Sequence, residues 1–381
     1  MLECEVAYAA SPSEARRDFL RVAGAAGLGS MLASFGSPAS AAAANGAAAD
    51  TFPLGDLLLQ SGQILQAAKI AYTTHGRLNA DKSNAIIYPT PYSAHHSDIE
   101  WPIGPGKALD PEKYFIIVLD MLGNGLSSSP STTPAPQDRN RFPNITIYDN
   151  VVAQHRLVTE LFQIERLALA VGWSMGAQQT FQWAISHPNM VERIAPFCGT
   201  ARTTPHNLVF LEGIKAALTA DAAWLDGRYE QPPVKGIRAF ARVYAGWGFS
   251  QPFYKQSLWR QLGFSSQEDF LVNFWEKRFL KRDANNLLAM LWTWQHNDVG
   301  AVGPFAGKLE AALGSIRAKA LVMAGQTDLY FTPEDIEFEA LLIPGARFEV
   351  IPSVWGHQAG GGLNSVDNRF VDDRLKALLA S

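Results

Sequence analysis

The sequence predicts an α/β fold with a mostly parallel central sheet, helices on both faces and a helical insertion. Apolar runs typical of buried strands, such as 114–120, alternate with segments of helical spacing, such as 148–162. This alternation is typical of parallel sheets that are covered on both sides. A strand, a Gly-x-Ser-x-Gly turn and a helix follow one another at 167–187, and an aromatic-rich helical stretch occupies 199–313.

Composition narrows the class of protein. The chain has 381 residues, of which 47% are hydrophobic and 18% charged, so it is long enough to bury a sizeable core. A net charge of −4 gives no reason to expect a nucleic acid or an anionic membrane as a partner. The only cysteines are Cys4, in the predicted leader, and Cys198. A single thiol in the mature chain excludes an internal disulfide and a cysteine-rich metal site.

Residues 1–50 have the layout of an export signal. The pair Arg16-Arg17 precedes an apolar segment at 22–35 and small residues at 37–44 that suit cleavage. The apolar segment is shorter than the roughly 20 residues of a membrane anchor and is interrupted by glycine and serine, so we expect no membrane insertion. The sequence therefore predicts a twin-arginine signal and a periplasmic or secreted mature protein. The alternative is a disordered, alanine-rich tail.

The remaining chain divides into a core and an insertion. The predicted strands are 63–73, 84–88, 114–120, 167–171, 191–198, 319–324 and 347–351. The predicted helices of the core are 148–162, 177–187 and 366–379. We assign the core to 51–198 and 314–381, and we interpret 199–313 as a helical cap over the active edge of the sheet.

The turn at 172–176 has the context of a nucleophile elbow. Gly172 and Gly176 have no Cβ, so the chain can turn sharply and pack the next helix close to the sheet. Ser174 is then exposed at a strand end and at the N-terminus of a helix, whose partial positive charge favours a developing oxyanion. An ordinary glycine-rich turn is the alternative, but the flanking strand and helix favour the elbow.

An acid and a base follow two later strands. Asp328 lies just beyond the strand at 319–324, and His357 lies just beyond the strand at 347–351. An acid in this place can orient a histidine that activates Ser174. Taken singly, a solvated aspartate or a packed histidine is the commoner outcome. Three residue types in this order, each after its own strand, favour a Ser-Asp-His triad that needs no cofactor.

The oxyanion hole requires two backbone N–H donors. Met175, the residue after the nucleophile, provides one. The other must come from the loop that begins at Pro89. Prolines have no N–H, so the second donor is Thr90 or Tyr92, and we favour Tyr92 because it lies further beyond the strand end.

One loop contains residues that could bind a metal ion. His95, His96 and Asp98 are potential ligands. Adjacent histidines point in different directions, and no further cluster of ligands is evident in the sequence. We therefore interpret this segment as a polar loop and predict no metal site.

The mature chain resembles the homoserine O-acetyltransferase branch of the α/β hydrolases. The resemblance rests on Val171-Gly-Trp-Ser-Met-Gly-Ala-Gln-Gln179 with Trp183-Ala184, on Arg282-Asp-Ala-Asn-Asn286, on Thr327-Asp-Leu-Tyr330 before Pro333, and on Gly356-His357. It implies an α/β-hydrolase fold with a helical cap, and a homodimer.

The same resemblance implies roles for individual residues. Ser174 would be the nucleophile, His357 the general base and Asp328 the acid that orients it. Tyr92 and Met175 would be the oxyanion donors. A small acyl compound would be the substrate.

One departure from the family bears on the acyl acceptor. In the transferases, an aspartate after the catalytic histidine engages the homoserine amino group, whereas this chain has Gln358 followed by Ala359 and three glycines. An exported protein also meets no acyl-CoA. We therefore predict an esterase-like serine hydrolase, with an acetyl-CoA-dependent acetyltransferase as the alternative. A third hypothesis is a non-catalytic binding module, but the intact triad disfavours it.

The insertion suggests an apolar substrate. Six of the ten tryptophans fall within it, and most must serve its own core. We predict that Trp247, together with Trp173 and Gln358, contacts the substrate. An apolar acyl or aryl pocket of this kind would make kcat/KM rise with the apolar surface of the ester.

Overall fold

The computed structural model describes residues 49–381, so nearly all of the predicted export signal lies outside the described residues. Within this range, eight strands form one sheet. They are β1 (Asp50–Leu58), β2 (Ile64–His75), β3 (Ala85–Pro89), β4 (Phe115–Leu119), β5 (Leu169–Trp173), β6 (Arg193–Phe197), β7 (Lys319–Gly325) and β8 (Arg347–Ile351). Their order across the sheet is β1-β2-β4-β3-β5-β6-β7-β8.

Parallel pairing dominates the sheet. Strands β3 to β8 pair parallel to their neighbours, while β2 pairs antiparallel to both β1 and β4. The carboxyl ends of the parallel strands therefore lie along one edge, where ligands of open α/β sheets bind. The predicted fold class is confirmed.

Helices alternate with the parallel strands. They are α1 (Ile147–Arg156), α2 (Met175–Ser186), α3 (Pro205–Thr219), α4 (Val234–Gly248), α5 (Gln251–Lys255), α6 (Gln267–Phe270), α7 (Lys277–Phe279), α8 (Ala284–Gln295), α9 (Leu309–Gly314), α10 (Pro333–Leu341) and α11 (Ser365–Leu379). Segments of wider, π-type turns continue α1 over Leu157–Leu161 and join α6 to α7 over Leu271–Glu276. No helix within residues 49–381 is long and apolar enough to cross a membrane.

Two hydrophobic clusters cover the two faces of the sheet. Ile87 belongs to the larger cluster, which also contains Phe181 of α2. The preceding residue, Ile86, belongs to the other cluster, which contains Val371 of α11. Successive side chains of a strand point to opposite faces, so this division places α2 and α11 on opposite sides of the sheet.

The first strand differs from the prediction. The sequence pattern placed the first strand at 63–73, but β1 precedes it and pairs with β2 from Asp50 to Leu58. Pro53 and Gly55 interrupt the pattern of β1, and the pairing register shifts on either side of Gly55. Proline and glycine are confined mostly to edge strands and bulges, which is where β1 lies. The sheet therefore begins at residue 50, the last residue that we had assigned to the leader.

The region between β6 and β7 contains helices α3 to α9 and no strand. Its aromatic rings form their own packed layer, with the ring centroids of Phe249 and Phe253 4.0 Å apart. A buried carboxylate, Glu276, joins two elements of this region by accepting hydrogen bonds of 2.5 Å from Arg238 and Arg242 of α4. Charge-assisted hydrogen bonds of this kind compensate the burial of Glu276.

Candidate active site

Strand β5, Ser174 and α2 form a sharp strand–turn–helix. Ser174 has φ 59° and ψ −125°, a strained conformation for a residue with a side chain, and α2 begins directly after it. A Cβ on Gly172 would lie 2.2 Å from the Gly176 carbonyl, and one on Gly176 would lie 2.6 Å from the carbonyl oxygen of Pro89. Both positions therefore require glycine. The turn has the geometry expected of a nucleophile elbow.

Ser174, His357 and Asp328 form one continuous chain of hydrogen bonds. Nε2 of His357 lies 2.9 Å from Oγ of Ser174, and Nδ1 of His357 lies 2.7 Å from Oδ2 of Asp328. All three side chains are buried. The structure thus brings together the three residues that the sequence predicted as nucleophile, base and acid. This arrangement can transfer a proton from the serine hydroxyl to the imidazole.

The loop after β7 holds the Asp328 carboxylate in place. Its Oδ1 atom accepts hydrogen bonds from the backbone N–H groups of Tyr330, at 2.8 Å, and Phe331, at 3.2 Å. These bonds occupy one carboxylate oxygen and turn the other toward His357. The carboxylate therefore needs no second side chain to fix its orientation.

Trp173 and the turn at Gly356 position His357. The Trp173 ring stacks on the His357 ring with centroids 4.9 Å apart, and its Nε1–H donates to the His357 carbonyl at 3.2 Å. Gly356 has φ 62°, and a Cβ there would lie 2.7 Å from the backbone nitrogen of Ser250. Trp173, predicted as a substrate contact, both lines the cavity at Ser174 and supports the histidine.

The two oxyanion candidates differ in whether their N–H groups are engaged. The N–H of Thr90 donates to the carbonyl of Leu119 at 2.9 Å, just beyond the end of β3. That bond removes Thr90 as a donor and leaves Tyr92. Met175 is the first residue of α2, so its N–H has no acceptor within the helix. Tyr92 lines the same cavity as Ser174, while its hydroxyl donates to the Leu287 carbonyl at 3.0 Å.

A small cavity surrounds Ser174 and His357. Its lining residues leave about 310 Å³ of space that no atom fills, part of which is open to solvent. The remaining lining residues are Pro91, Tyr92, Ser93, Trp173, Tyr244, Trp275, Arg278, Phe279 and Gln358. The cavity therefore has mainly aromatic walls and a few polar groups.

Trp247 does not line this cavity, which corrects the prediction. Its half-buried ring instead packs against His206 and Phe210, at centroid distances of 5.0 Å in both cases. Tyr244 and Trp247 lie three positions apart on one face of α4, and both rings pack against Phe210 of α3, but only Tyr244 reaches the cavity. The aromatic side chains of the helical region at the cavity are Tyr244, Trp275 and Phe279.

Four cavity residues of the helical region were not predicted from the sequence. They are Tyr244, Trp275, Arg278 and Phe279. The last three have the spacing i, i+3 and i+4 that places residues on one face of a helix. This spacing was the available signal, but it does not distinguish a face that lines a cavity from a face that packs in a core.

Gln358 lies where the sequence analysis expected it. It directly follows His357, is buried and lines the cavity. A Cβ on Gly361 would lie 2.4 Å from Oε1 of Gln358, so the adjacent glycine leaves room for the amide. A neutral amide therefore lies beside the candidate nucleophile, at the position where the resemblance to the transferases implies an acid.

His95 and His96 both bond to protein groups. Nε2 of His95 lies 3.1 Å from the carbonyl oxygen of Asn124. Nδ1 of His96 lies 2.7 Å from Oδ2 of Asp120, a buried carboxylate. The described part of the chain contains no group of three or more His, Cys, Asp or Glu side chains arranged to hold a metal ion.

Comparisons with known proteins agree with this geometry. The chain is 41% identical to a probable esterase of Corynebacterium glutamicum over 339 residues, which cover 87% of this chain and 96% of that protein. It is also 41% identical to the ethyl acetate hydrolase of Pseudomonas veronii, over 86% of this chain and 94% of that protein. The solved structure of an acetylester hydrolase from Corynebacterium glutamicum superimposes with a TM-score of 0.85, at 40% identity, over 87% of this chain and 96% of that one.

The predicted resemblance to homoserine O-acetyltransferases is also confirmed. The enzyme of that name from Chlorobium chlorochromatii is 32% identical, over 84% of this chain and 93% of that protein. A family model described as the alpha/beta hydrolase fold matches residues 93–359, which include Ser174, Asp328 and His357. The chain therefore belongs to the α/β-hydrolase fold family.

Proposed function

We propose that the chain hydrolyses esters of short carboxylic acids through an acyl-enzyme formed on Ser174. The observation that carries the proposal is the hydrogen-bonded chain from Ser174 Oγ through His357 to Asp328. It supports nucleophilic catalysis, because an activated serine needs a base within about 3 Å and a group that orients the base. Similarity to esterases at 41% identity supports the same reaction class.

The first half-reaction transfers the acyl group. His357 Nε2 accepts the Ser174 proton as Oγ bonds to the ester carbonyl carbon. The carbonyl oxygen becomes an oxyanion that the N–H groups of Met175 and Tyr92 stabilise. His357 then donates its proton to the leaving alkoxide, and the carbon–oxygen bond to the alcohol breaks.

Water completes the reaction. His357 accepts a proton from the water molecule as its oxygen attacks the acyl carbon, and it returns that proton to Ser174 Oγ as the acyl-oxygen bond breaks. The products are one carboxylic acid and one alcohol. Asp328 keeps its negative charge throughout and stabilises the imidazolium that forms twice.

The size of the cavity supports a short acyl group. A cavity with about 310 Å³ of unfilled space beside Ser174, part of which is open to solvent, suits an acetyl group better than a long chain. The buried ring of Trp275 closes part of the space that a longer chain would need. This proposal replaces the expectation that kcat/KM rises with the apolar surface of the ester. Similarity to an ethyl acetate hydrolase and to an acetylester hydrolase supports the same preference.

Acetyl transfer to homoserine is the second candidate, since homoserine O-acetyltransferases are among the relatives. Gln358 weighs against it, because an amide cannot provide the negative charge that an amino group would require. Water is the more accessible acceptor at a site that lacks this charge. We therefore place hydrolysis before transfer.

A direct comparison of acceptors tests the proposal. Purified protein that starts at residue 49 is given ethyl acetate, ethyl butyrate and ethyl hexanoate, and in parallel acetyl-CoA with homoserine. We expect hydrolysis that falls as the acyl chain lengthens, and little O-acetylhomoserine. O-acetylhomoserine formed faster than acetate is released from ethyl acetate would overturn the proposal.

We further propose that residues 1–50 direct export by the twin-arginine route. The pair Arg16-Arg17, the apolar segment after it and the small residues at 37–44 support this proposal. Replacing both arginines with lysine should retain the precursor in the cytoplasm. An unchanged yield of periplasmic or secreted protein, measured by cell fractionation, would overturn it.

The partners that we propose are a small acyl substrate and a second copy of the chain. The resemblance to homoserine O-acetyltransferases supports a homodimer, and the net charge of −4 disfavours nucleic acid. Sedimentation velocity of the mature protein tests the dimer. A single species with the mass of a monomer at micromolar concentration would contradict it.

A further inference from the structure

Several polar side chains line the cavity beside the candidate nucleophile. Arg278, Ser93 and Gln358 all line the space beside Ser174 and His357. Within residues 49–381, no hydrogen bond or ion pair engages the guanidinium of Arg278, the hydroxyl of Ser93 or the amide of Gln358. Groups that are free of protein partners and face a cavity beside a nucleophile are available to a substrate.

Arg278 differs from the arginines around it, each of which pairs with a carboxylate. Arg238 and Arg242 both pair with the buried Glu276. Arg282, which lies beyond the end of α7, pairs with Asp98 at 2.7 Å and donates to the carbonyl of Ser93 at 2.7 Å. The carboxylates nearby are thus already engaged by other arginines, and the charge of Arg278 is left without a counterion.

The charge of Arg278 acts inside the cavity. Burial raises the pKa of Tyr244, and the positive charge of Arg278 opposes that rise. The Tyr244 ring lines the same cavity. The guanidinium is therefore close enough to influence a group in the cavity wall and is partly withdrawn from water, where attraction to an anion is stronger than at an open surface.

We propose that Arg278, assisted by Ser93 and Gln358, binds a carboxylate of the substrate, so that acyl esters of small hydroxy acids are the preferred substrates. A guanidinium forms two parallel hydrogen bonds with a carboxylate, and the amide and hydroxyl beside it supply further donors. We assign the anionic group to the alcohol part of the ester, because a short acyl group such as acetyl carries no carboxylate. This inference rests on the proposed ester hydrolysis.

The carboxylate takes no part in bond making. Acyl transfer to Ser174 releases the hydroxy acid as the alcohol product, and water then releases the short carboxylic acid. Arg278 contributes by holding the ester with its carbonyl at Ser174. It is a substrate-binding residue, and its effect should appear mainly in KM.

A matched pair of esters tests the inference. Acetoxyacetate and acetoxyacetamide have nearly the same shape and the same acetyl group, but only the first carries a negative charge. We expect kcat/KM of the wild-type protein to be at least about tenfold higher for acetoxyacetate, as for a charge-assisted contact that the neutral ester lacks. The preference should decrease as salt is added.

Variants then assign the preference to Arg278. Arg278→Gln should lower the ratio of kcat/KM for the two esters by about tenfold, and Arg278→Lys should retain part of it. A general folding defect would lower both rates and leave the ratio unchanged. The control is Arg260→Gln, the same substitution at an exposed arginine of the helical region that does not line the cavity. It should leave the ratio at the wild-type value.

The outcomes separate the inference from the proposed function. If acetoxyacetamide and ethyl acetate are both hydrolysed but the wild-type protein shows no preference for acetoxyacetate, the inference is wrong and the ester hydrolase stands. A preference that survives Arg278→Gln also overturns it. If no ester is hydrolysed by the wild-type protein, the proposed function itself fails.

Discussion

Oδ2 of Asp328 lies 2.7 Å from Nδ1 of His357, and both side chains are buried. This contact holds the proton of the neutral imidazole on Nδ1. The lone pair of Nε2 then faces Ser174 Oγ, 2.9 Å away. Asp328, which does not contact the ester in this mechanism, therefore determines which ring nitrogen of His357 carries the proton.

The first prediction concerns this contact. Asp328→Asn should keep the fold but allow the amide to donate to Nδ1, which leaves the proton on Nε2 and prevents the ring from acting as a base. We expect kcat for ethyl acetate to fall by about 10⁴-fold. Thermal unfolding followed by circular dichroism is the control for folding. A well-folded variant that retains more than about a tenth of the wild-type kcat would show that Asp328 is dispensable.

The second prediction separates the backbone of Tyr92 from its side chain. Tyr92→Phe removes the hydroxyl that donates to the Leu287 carbonyl but leaves the backbone N–H at the proposed oxyanion hole. Stability should fall by about 1 kcal/mol, and kcat should stay within about threefold of wild type. Urea unfolding and initial rates measure the two effects. A loss of kcat of about 100-fold would indicate that the hydroxyl itself takes part in the reaction.

The third prediction concerns the size of the acyl group. Trp275→Leu should enlarge the cavity, so the ratio of kcat/KM for ethyl hexanoate to that for ethyl acetate should rise by about tenfold or more. Trp247→Leu is the matched control, because that ring packs on His206 and Phe210 outside the cavity. Equal ratios in both variants, or a rise only in Trp247→Leu, would place the acyl site elsewhere.

Much of this site follows from local sequence signals. The elbow was predictable because Gly172 and Gly176 occur between an apolar strand and a helix, a pattern that depends on few neighbours. Asp328 and His357 were predictable because each follows its own strand, and a parallel sheet brings such strand ends to one edge. The order of strands across the sheet had no comparable signal.

The predictions that were wrong concern features that tertiary packing determines. Strand β1 carries Pro53 and Gly55, which interrupt its apolar pattern, and its register with β2 shifts on either side of Gly55. Trp247 and Tyr244 lie on the same helix, and only the packing of α3 against α4 decides which ring faces Ser174. The helical spacing of Trp275, Arg278 and Phe279 did not show that Arg278 lacks a counterion, because that is a property of its surroundings.

A buried acid offers a further test, of stability. Glu339 of α10 is only 3% exposed and accepts hydrogen bonds from the N–H groups of Ala201, at 2.6 Å, and Arg202, at 3.0 Å. Burial raises its pKa to about 8, and those two hydrogen bonds oppose the rise. The carboxyl group ties α10 to the chain just after β6, where the helical region begins.

The fourth prediction follows from this shift. Because the folded protein holds the Glu339 proton more tightly than the unfolded chain, its contribution to stability is full below the ordinary pKa of 4.5 and is lost as pH rises to about 8. The loss should amount to up to about 5 kcal/mol. Glu339→Gln should remove this fall, so its stability relative to wild type should improve from pH 5 to pH 8. Urea unfolding at each pH measures the free energies of unfolding of both proteins. If these change in parallel from pH 5 to pH 8, the assignment to Glu339 is wrong.

The most direct measurement is mass spectrometry of the mature protein after reaction with a fluorophosphonate, which labels only an activated serine. We expect one adduct per chain, located by peptide mapping at Ser174, together with complete loss of ethyl acetate hydrolysis. Ser174→Ala should take up no label and lose activity by about 10⁶-fold. A protein that hydrolyses ethyl acetate without labelling at Ser174, or a Ser174→Ala variant with turnover within about tenfold of wild type, would contradict acyl-enzyme catalysis at this serine.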